Sequence, residues 1–162
     1  MATTLVAFLC TPGAARSADF NLLVNGKAVH INPQEGANYN EENWGAGLQY
    51  DFDQKGNWVS FVNASGFLDS NENTSWYAGG GSVYRIKLPS ADSLHVELGA
   101  IAFVMHRKDF RNERPFFGVL PVASVGSERI AINVTYIPKV DPKMVPLLFF
   151  QLKVKLPWLD DG

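Results

Sequence analysis

Apolar and polar positions alternate with a period of two through eight segments of this 162-residue chain. The segments run 21–29, 45–52, 58–67, 76–88, 94–105, 116–124, 129–137 and 147–156. No stretch of useful length follows the 3.6-residue period of a helix. Three of the breaks are short and rich in turn formers: Asp53-Gln54-Lys55-Gly56-Asn57, Pro89-Ser90-Ala91-Asp92 and Gly126-Ser127-Glu128. The other connections, at 30–44, 68–75, 106–115 and 138–146, are longer and more polar. Short and long breaks alternate. That rhythm predicts an all-β fold, an eight-stranded antiparallel up-and-down β-barrel with tight turns on one rim and larger loops on the other.

The two faces of each strand differ. In the fourth segment Ala78, Gly80, Ser82, Tyr84, Ile86 and Leu88 oppose Tyr77, Gly79, Gly81, Val83, Arg85 and Lys87. In the fifth, Val96, Leu98, Ala100, Ala102 and Val104 oppose a face that carries His95 and Glu97. In the eighth, Leu148, Phe150, Leu152, Val154 and Leu156 oppose one that carries Gln151, Lys153 and Lys155. One face is thus uniformly apolar, and the other is mixed with its charges toward the short-turn rim. If the uniform face meets lipid, the lumen is apolar near the long loops, a shape suited to one acyl chain. A soluble barrel would put the uniform face inside.

Composition narrows the partners. A formal net charge of −2 gives no electrostatic reason to expect nucleic acid. No run of eighteen apolar residues is present, which excludes a spanning helix and leaves a spanning barrel open. Cys10 is the one cysteine, so neither a disulfide framework nor a cysteine zinc site is available, and no metal or organic cofactor is expected. Residues 1–18 read as a secretory signal, with the apolar run Leu5-Val6-Ala7-Phe8-Leu9-Cys10 followed by small residues. The remainder, 19–162, reads as a single exported barrel domain.

Several strings resemble the PagP family of lipid A palmitoyltransferases. They are Tyr39-Asn40-Glu41-Glu42-Asn43-Trp44-Gly45-Ala46-Gly47, Lys55-Gly56-Asn57-Trp58, Phe67-Leu68-Asp69-Ser70 and Ala78-Gly79-Gly80-Gly81. The most specific is Leu120-Pro121-Val122-Ala123-Ser124-Val125-Gly126, followed by Asn133-Val134-Thr135-Tyr136-Ile137-Pro138. The resemblance runs in order from about His30 to Leu156. It implies a monomeric barrel in the bacterial outer membrane that takes a palmitoyl chain from a phospholipid donor and passes it to lipid A or a related acceptor. It also implies site residues. His30 holds the place of the family's essential histidine, Asp69 and Ser70 match its Asp-Ser pair, and Gly81 corresponds to the floor of its acyl-measuring pocket. Pro121 and Pro138 correspond to prolines that flank a lateral gap for lipid entry. Proline cannot donate to a strand ladder, so these two weaken pairing there.

The chemistry asks for such residues. Acyl transfer between oxygens needs a base for the acceptor hydroxyl's proton, and histidine titrates in the right range. A carboxylate can orient the imidazole, and a hydroxyl can donate toward developing charge. His30 is accordingly expected as base, Asp69 as its orienting partner and Ser70 as a polarising donor, with Ser70 as a covalent nucleophile less favoured. His95 and His106 read as ordinary lumen and rim residues. Two departures stand out: Glu42-Asn43 replaces the family's Arg-Pro, and the loop after His30 is short and poor in basic residues. A phospholipase-like hydrolase would keep the same three residues. A non-enzymatic barrel that binds a hydrophobic ligand would not need His30.

Overall fold

β-formers and turn residues sort along the chain into eight strands, and the computed structural model closes them into one antiparallel barrel. It describes residues 19–33, 39–89, 93–108, 110–139 and 145–157. The segment read as a signal, 1–18, lies outside the described residues. The strands are β1 (Asp19–His30), β2 (Glu42–Asp51), β3 (Trp58–Leu68), β4 (Thr74–Lys87), β5 (Leu94–His106), β6 (Phe116–Ser127), β7 (Ile130–Ile137) and β8 (Leu147–Lys155). Each pairs with its sequence neighbours, and β1 pairs with β8 to close the ring. Several strands run further than their alternation suggested: β2 begins at Glu42 and β6 continues to Ser127.

The uniform face is the outer one. Leu48, Val62, Leu98, Val119 and Ile132 are exposed, while Leu23, Val59, Phe61, Val83 and Ile101 are buried in the lumen. An apolar exterior around a mixed interior is the arrangement of a lipid-facing barrel, not of a soluble one. Trp58 and Tyr84 at the short-turn end stand edge to face outside, with ring centres 5.3 Å apart, in the manner of an interfacial aromatic girdle.

At the short-turn end the lumen is closed by paired charge. Glu97, 2% exposed, lies 2.7 Å from Arg85 Nη2, 3.4 Å from Lys153 Nζ and 3.6 Å from His95 Nε2. Asp51 adds a carboxylate 3.6 Å from Lys153. Unpaired, a carboxylate so deep would cost several kcal/mol of desolvation, so the cations are a condition of its burial. Above this plug Val59, Phe61, Tyr77, Val83 and Ile101 pack together, with Phe103, Leu120 and Val122 against them.

The expectation of a wholly apolar upper lumen needs correction. On the β8–β1–β3 side a polar band crosses it: Gln151 Nε2 donates to Asn25 Oδ1 (2.6 Å) and to the Tyr77 hydroxyl (2.9 Å), and Asn25 Nδ2 donates to Ser65 Oγ (2.7 Å). Every member finds a partner, which is what lets these groups stay buried. The apolar space is therefore displaced toward β3–β7.

Two ladder irregularities matter for the site. Against β8 the register slips between Asn25 and Lys27, so Gly26 forms a bulge in β1. Asn25 points inward, Lys27 outward, and Ala28 and the His30 side chain inward again. Uninterrupted alternation would have turned His30 to the outside. The second irregularity lies between β6 and β7, where the ladder runs only from Gly126↔Ala131 to Val122↔Thr135, against an unbroken ladder from Leu94↔Ser127 to Met105↔Phe116 between β5 and β6. Pairing ends just where Pro121 would enter it.

Candidate active site

The first strand ends at His30 and the third at Leu68, on the same long-loop rim, so the residues that follow β3 meet the end of β1. Ser70 Oγ lies 3.3 Å from His30 Nε2. The imidazole side chain is only 4% exposed and stacks on Tyr39, with ring centres 4.4 Å apart at 17°. A backbone hydrogen bond from Asn40 N–H to the Ser70 carbonyl (3.0 Å) fastens the segment that carries Tyr39 and Glu41 to the β3–β4 loop. The ring is thus fixed by a stacking partner, a hydroxyl and two joined loops.

The other imidazole nitrogen faces a carboxylate, though not the expected one. Glu41 Oε1 lies 3.9 Å from His30 Nδ1, which has no hydrogen-bond partner. Asp69 is turned elsewhere. Its Oδ1 accepts from the backbone N–H of Asn71 (2.9 Å) and Asn73 (3.0 Å), and its Oδ2 from Ser75 Oγ (2.9 Å). Arg107 Nε stands 3.6 Å from the same Oδ2. Asp69 is 1% exposed, so these partners are what keep its charge buried. The structure brings His30 and Ser70 together and gives Asp69 the shaping of the loop that presents Ser70. It does so because an aspartate two and four residues before these N–H groups caps them locally.

Glu41, Tyr39 and Asn43 lie in a family-like string but carry no role that the sequence alone reveals. Asn43 is buried and donates through Nδ2 to the Leu68 carbonyl (2.6 Å), gripping the end of β3 one residue before Asp69. Its place two residues before the inward Gly45 was the available signal, since period two puts both on one face. The exchange of Arg-Pro for Glu42-Asn43 leaves the β1–β2 seam joined: Lys27 pairs with Glu42, and Ala28 N–H donates to the Glu41 carbonyl (2.8 Å).

Beneath Ser70 opens a cavity of about 890 Å³. Asp69, Ser70 and Asn71 lie at its mouth, and Phe61, Ile101, Phe103, Leu120 and Phe149 are among its walls. From Asp69 down to Phe61 the third strand descends eight residues, roughly 20 Å along the axis at ~3.4 Å per residue and ~40° tilt. Gly81 pairs with Phe61 at the lower end of this space. A Cβ at Gly81 would sit 2.8 Å from Phe61 Cζ and would also collide with the Ala100 carbonyl, so only glycine leaves room there. Phe117 and Val119 point outward, 85% and 69% exposed, yet border the cavity as well, as does Pro138. The cavity is therefore bordered on this side by the stretch of β6 that pairs with β5 but not with β7. Among the described residues no cluster of three or more His, Cys, Asp or Glu is arranged to hold a metal.

A family model described as "Antimicrobial peptide resistance and lipid A acylation protein PagP" matches residues 19–151. This chain belongs to the PagP family. Among its relatives, the lipid A acyltransferase PagP of Laribacter hongkongensis is 39% identical over 101 residues, 62% of this chain and 47% of that protein. The lipid A acyltransferases PagP of Bordetella pertussis (35%) and Legionella pneumophila strain Corby (39%) align over 101 residues each, 62% of this chain and 54% and 51% of their own lengths. The chain thus spans about half the length of the PagP relatives it matches. In solved structures the fold is similar to Neisserial surface protein A, with a TM-score of 0.54 and 14% identity over 90% of this chain and 100% of that one. It is also similar to Ail of Yersinia pestis, with a TM-score of 0.50 and 14% identity over 86% and 96%. At that identity the likeness is one of fold.

Proposed function

We propose that this PagP-family chain is an outer-membrane acyltransferase that moves a palmitoyl chain from a phospholipid to lipid A or a related acceptor. The observation that carries the reading is the Ser70–His30 pair, 3.3 Å apart, at the mouth of a deep apolar cavity. The donor's chain enters between β6 and β7, past Pro121 and Pro138, and lies in the cavity above Gly81. Its ester carbonyl then stands at the level of Ser70. Family membership, the lipid-facing exterior and the relatives' names as lipid A acyltransferases support the same assignment.

The Glu41 carboxylate favours a proton on His30 Nδ1, which leaves the Nε2 lone pair to accept from Ser70 O–H. As the acceptor hydroxyl oxygen attacks the ester carbonyl, its proton passes to Ser70 Oγ while Ser70's own proton passes to Nε2. The tetrahedral intermediate collapses by breaking the bond from carbonyl carbon to glycerol oxygen. The imidazolium returns its proton by the same route to that oxygen. The products are an acylated acceptor and a lysophospholipid, and the enzyme is unchanged. General acid–base assistance of this kind contributes about 10²–10⁴ in rate.

Incubating refolded protein with acyl-labelled phosphatidylcholine, with and without lipid A, tests the reading. Label should move to lipid A. Label found only as free fatty acid would mean a phospholipase-like hydrolase with water as acceptor, and no turnover would leave a barrel that only binds a hydrophobic ligand.

A further inference from the structure

Charge is distributed unevenly around the long-loop rim. Residues 31–44 carry three acidic side chains and no basic one, and residues 68–75 carry two acidic and no basic. Residues 107–114, in contrast, hold Arg107, Lys108, Arg111 and Arg114 against Asp109 and Glu113. Of the long-loop segments, 107–114 carries the largest net positive charge, while 138–146 adds Lys139 and Lys143 against Asp141.

The β5–β6 loop is anchored so that Arg107 and Arg111 border the mouth. Phe110 packs edge to face on Phe116, with ring centres 4.7 Å apart, and Phe116 does the same with Phe103 inside the barrel (6.4 Å). The Arg111 guanidinium lies over the Phe110 ring, 5.7 Å from its centre. Arg107 and Arg111 border the same cavity mouth as Ser70. The turn that presents Arg111 is costly to form: Arg111, Asn112 and Glu113 all have positive φ (50°, 55° and 63°), a region side chains other than glycine seldom adopt. An exposed guanidinium steadied over an aromatic ring, lining the same cavity as a second one, is suited to bidentate contact with a phosphate.

We propose that the β5–β6 loop is the phosphate-binding site for a lipid headgroup, with Arg111 the principal contact and Arg107, whose Nε faces Asp69, beside it. The inference rests on the proposed acyl transfer and deepens it. A phosphate held on this loop places a polar headgroup at the cavity mouth near Asp69 and Ser70, so that a hydroxyl of the acceptor can reach Ser70.

The test is equilibrium binding, followed by intrinsic tryptophan fluorescence in detergent micelles, alongside acyl transfer. The probes are bisphosphorylated lipid A against dephosphorylated lipid A for the acceptor, and phosphatidylcholine against diacylglycerol for the donor. Arg111→Ala is the test variant, and Arg114→Ala, exposed on the same turn, tests the loop a second way should the first perturb it. Wild type should bind the phosphorylated member of one pair about tenfold more tightly, as a charge-assisted contact implies, and added salt should reduce the preference. Arg111→Ala should erase it. The pair that shows the preference tells whether the acceptor's phosphate or the donor's is read. Equal affinity for both members of each pair, or a preference that survives both substitutions, would overturn the site. Preference in binding without any acyl transfer would instead overturn the enzymatic reading and leave the phosphate site standing.

Discussion

A carboxylate 3.9 Å from an imidazole nitrogen is beyond hydrogen-bond reach, yet near enough to bias which nitrogen carries the proton. In the proposed mechanism Glu41, rather than Asp69, therefore biases the proton of His30. Glu41→Gln removes the charge and keeps the shape, so kcat for acyl transfer should fall roughly tenfold, about 1.4 kcal/mol in the barrier, with KM for the phospholipid unmoved. Steady-state kinetics of the variant checks this, and a loss confined to KM would speak against it. Asp69 and Ser70 stand out in the sequence because they lie inside a family-like string, and His30 because it follows the first strand upstream of Tyr39-Asn40-Glu41. Which carboxylate meets the imidazole was not legible. It depends on how the β1–β2 and β3–β4 loops are joined by the Asn40–Ser70 backbone bond, a contact between residues thirty apart that no local pattern records.

At the scale of the element, the consequential feature is the bulge at Gly26. Period-two reading placed the strands and their outer faces correctly, but a single extra residue reverses the facing of all that follows it, and the short run from Lys27 to His30 is too brief to reveal the reversal. The polar band escaped for a similar reason. Asn25, Ser65 and Gln151 each sit at inward positions, but their meeting depends on the closure of β1 against β8. The bulge yields a prediction. An alanine inserted between Val29 and His30 should turn the imidazole to the outside and abolish acyl transfer, with a loss of the order of 10²–10⁴ if general base catalysis is removed. The barrel itself should still form, as judged by its altered mobility on unheated denaturing gels. Retained activity would mean that inward facing of His30 is not required.

For the molecule as a whole, the exterior makes the strongest claim. Val62 lies midway along β3 and points outward, and Leu94 stands outward at the short-turn rim. Arginine at a lipid-facing midplane costs ~2–4 kcal/mol and at the interface ~0–1 kcal/mol. Val62→Arg should therefore lower the unfolding free energy in lipid vesicles by about that larger amount and Leu94→Arg by little, as read from urea titrations. Equal effects would contradict a lipid-embedded belt. Eight strands, their order and the apolar exterior were readable from the alternation of short and long connections and from the uniform face. Pro121 and Pro138 weaken pairing in the sequence reading, and the ladder between β6 and β7 ends at Val122 and Thr135.

The central claim is that a buried imidazole at the end of β1 drives acyl transfer through Ser70. It is tested most directly by comparing wild type with His30→Ala in the transfer of labelled palmitate from phosphatidylcholine to lipid A, with refolding of both verified by gel mobility. Transfer by wild type and a loss of at least about a hundredfold in His30→Ala is the predicted result. Equal transfer by two equally folded proteins would contradict it.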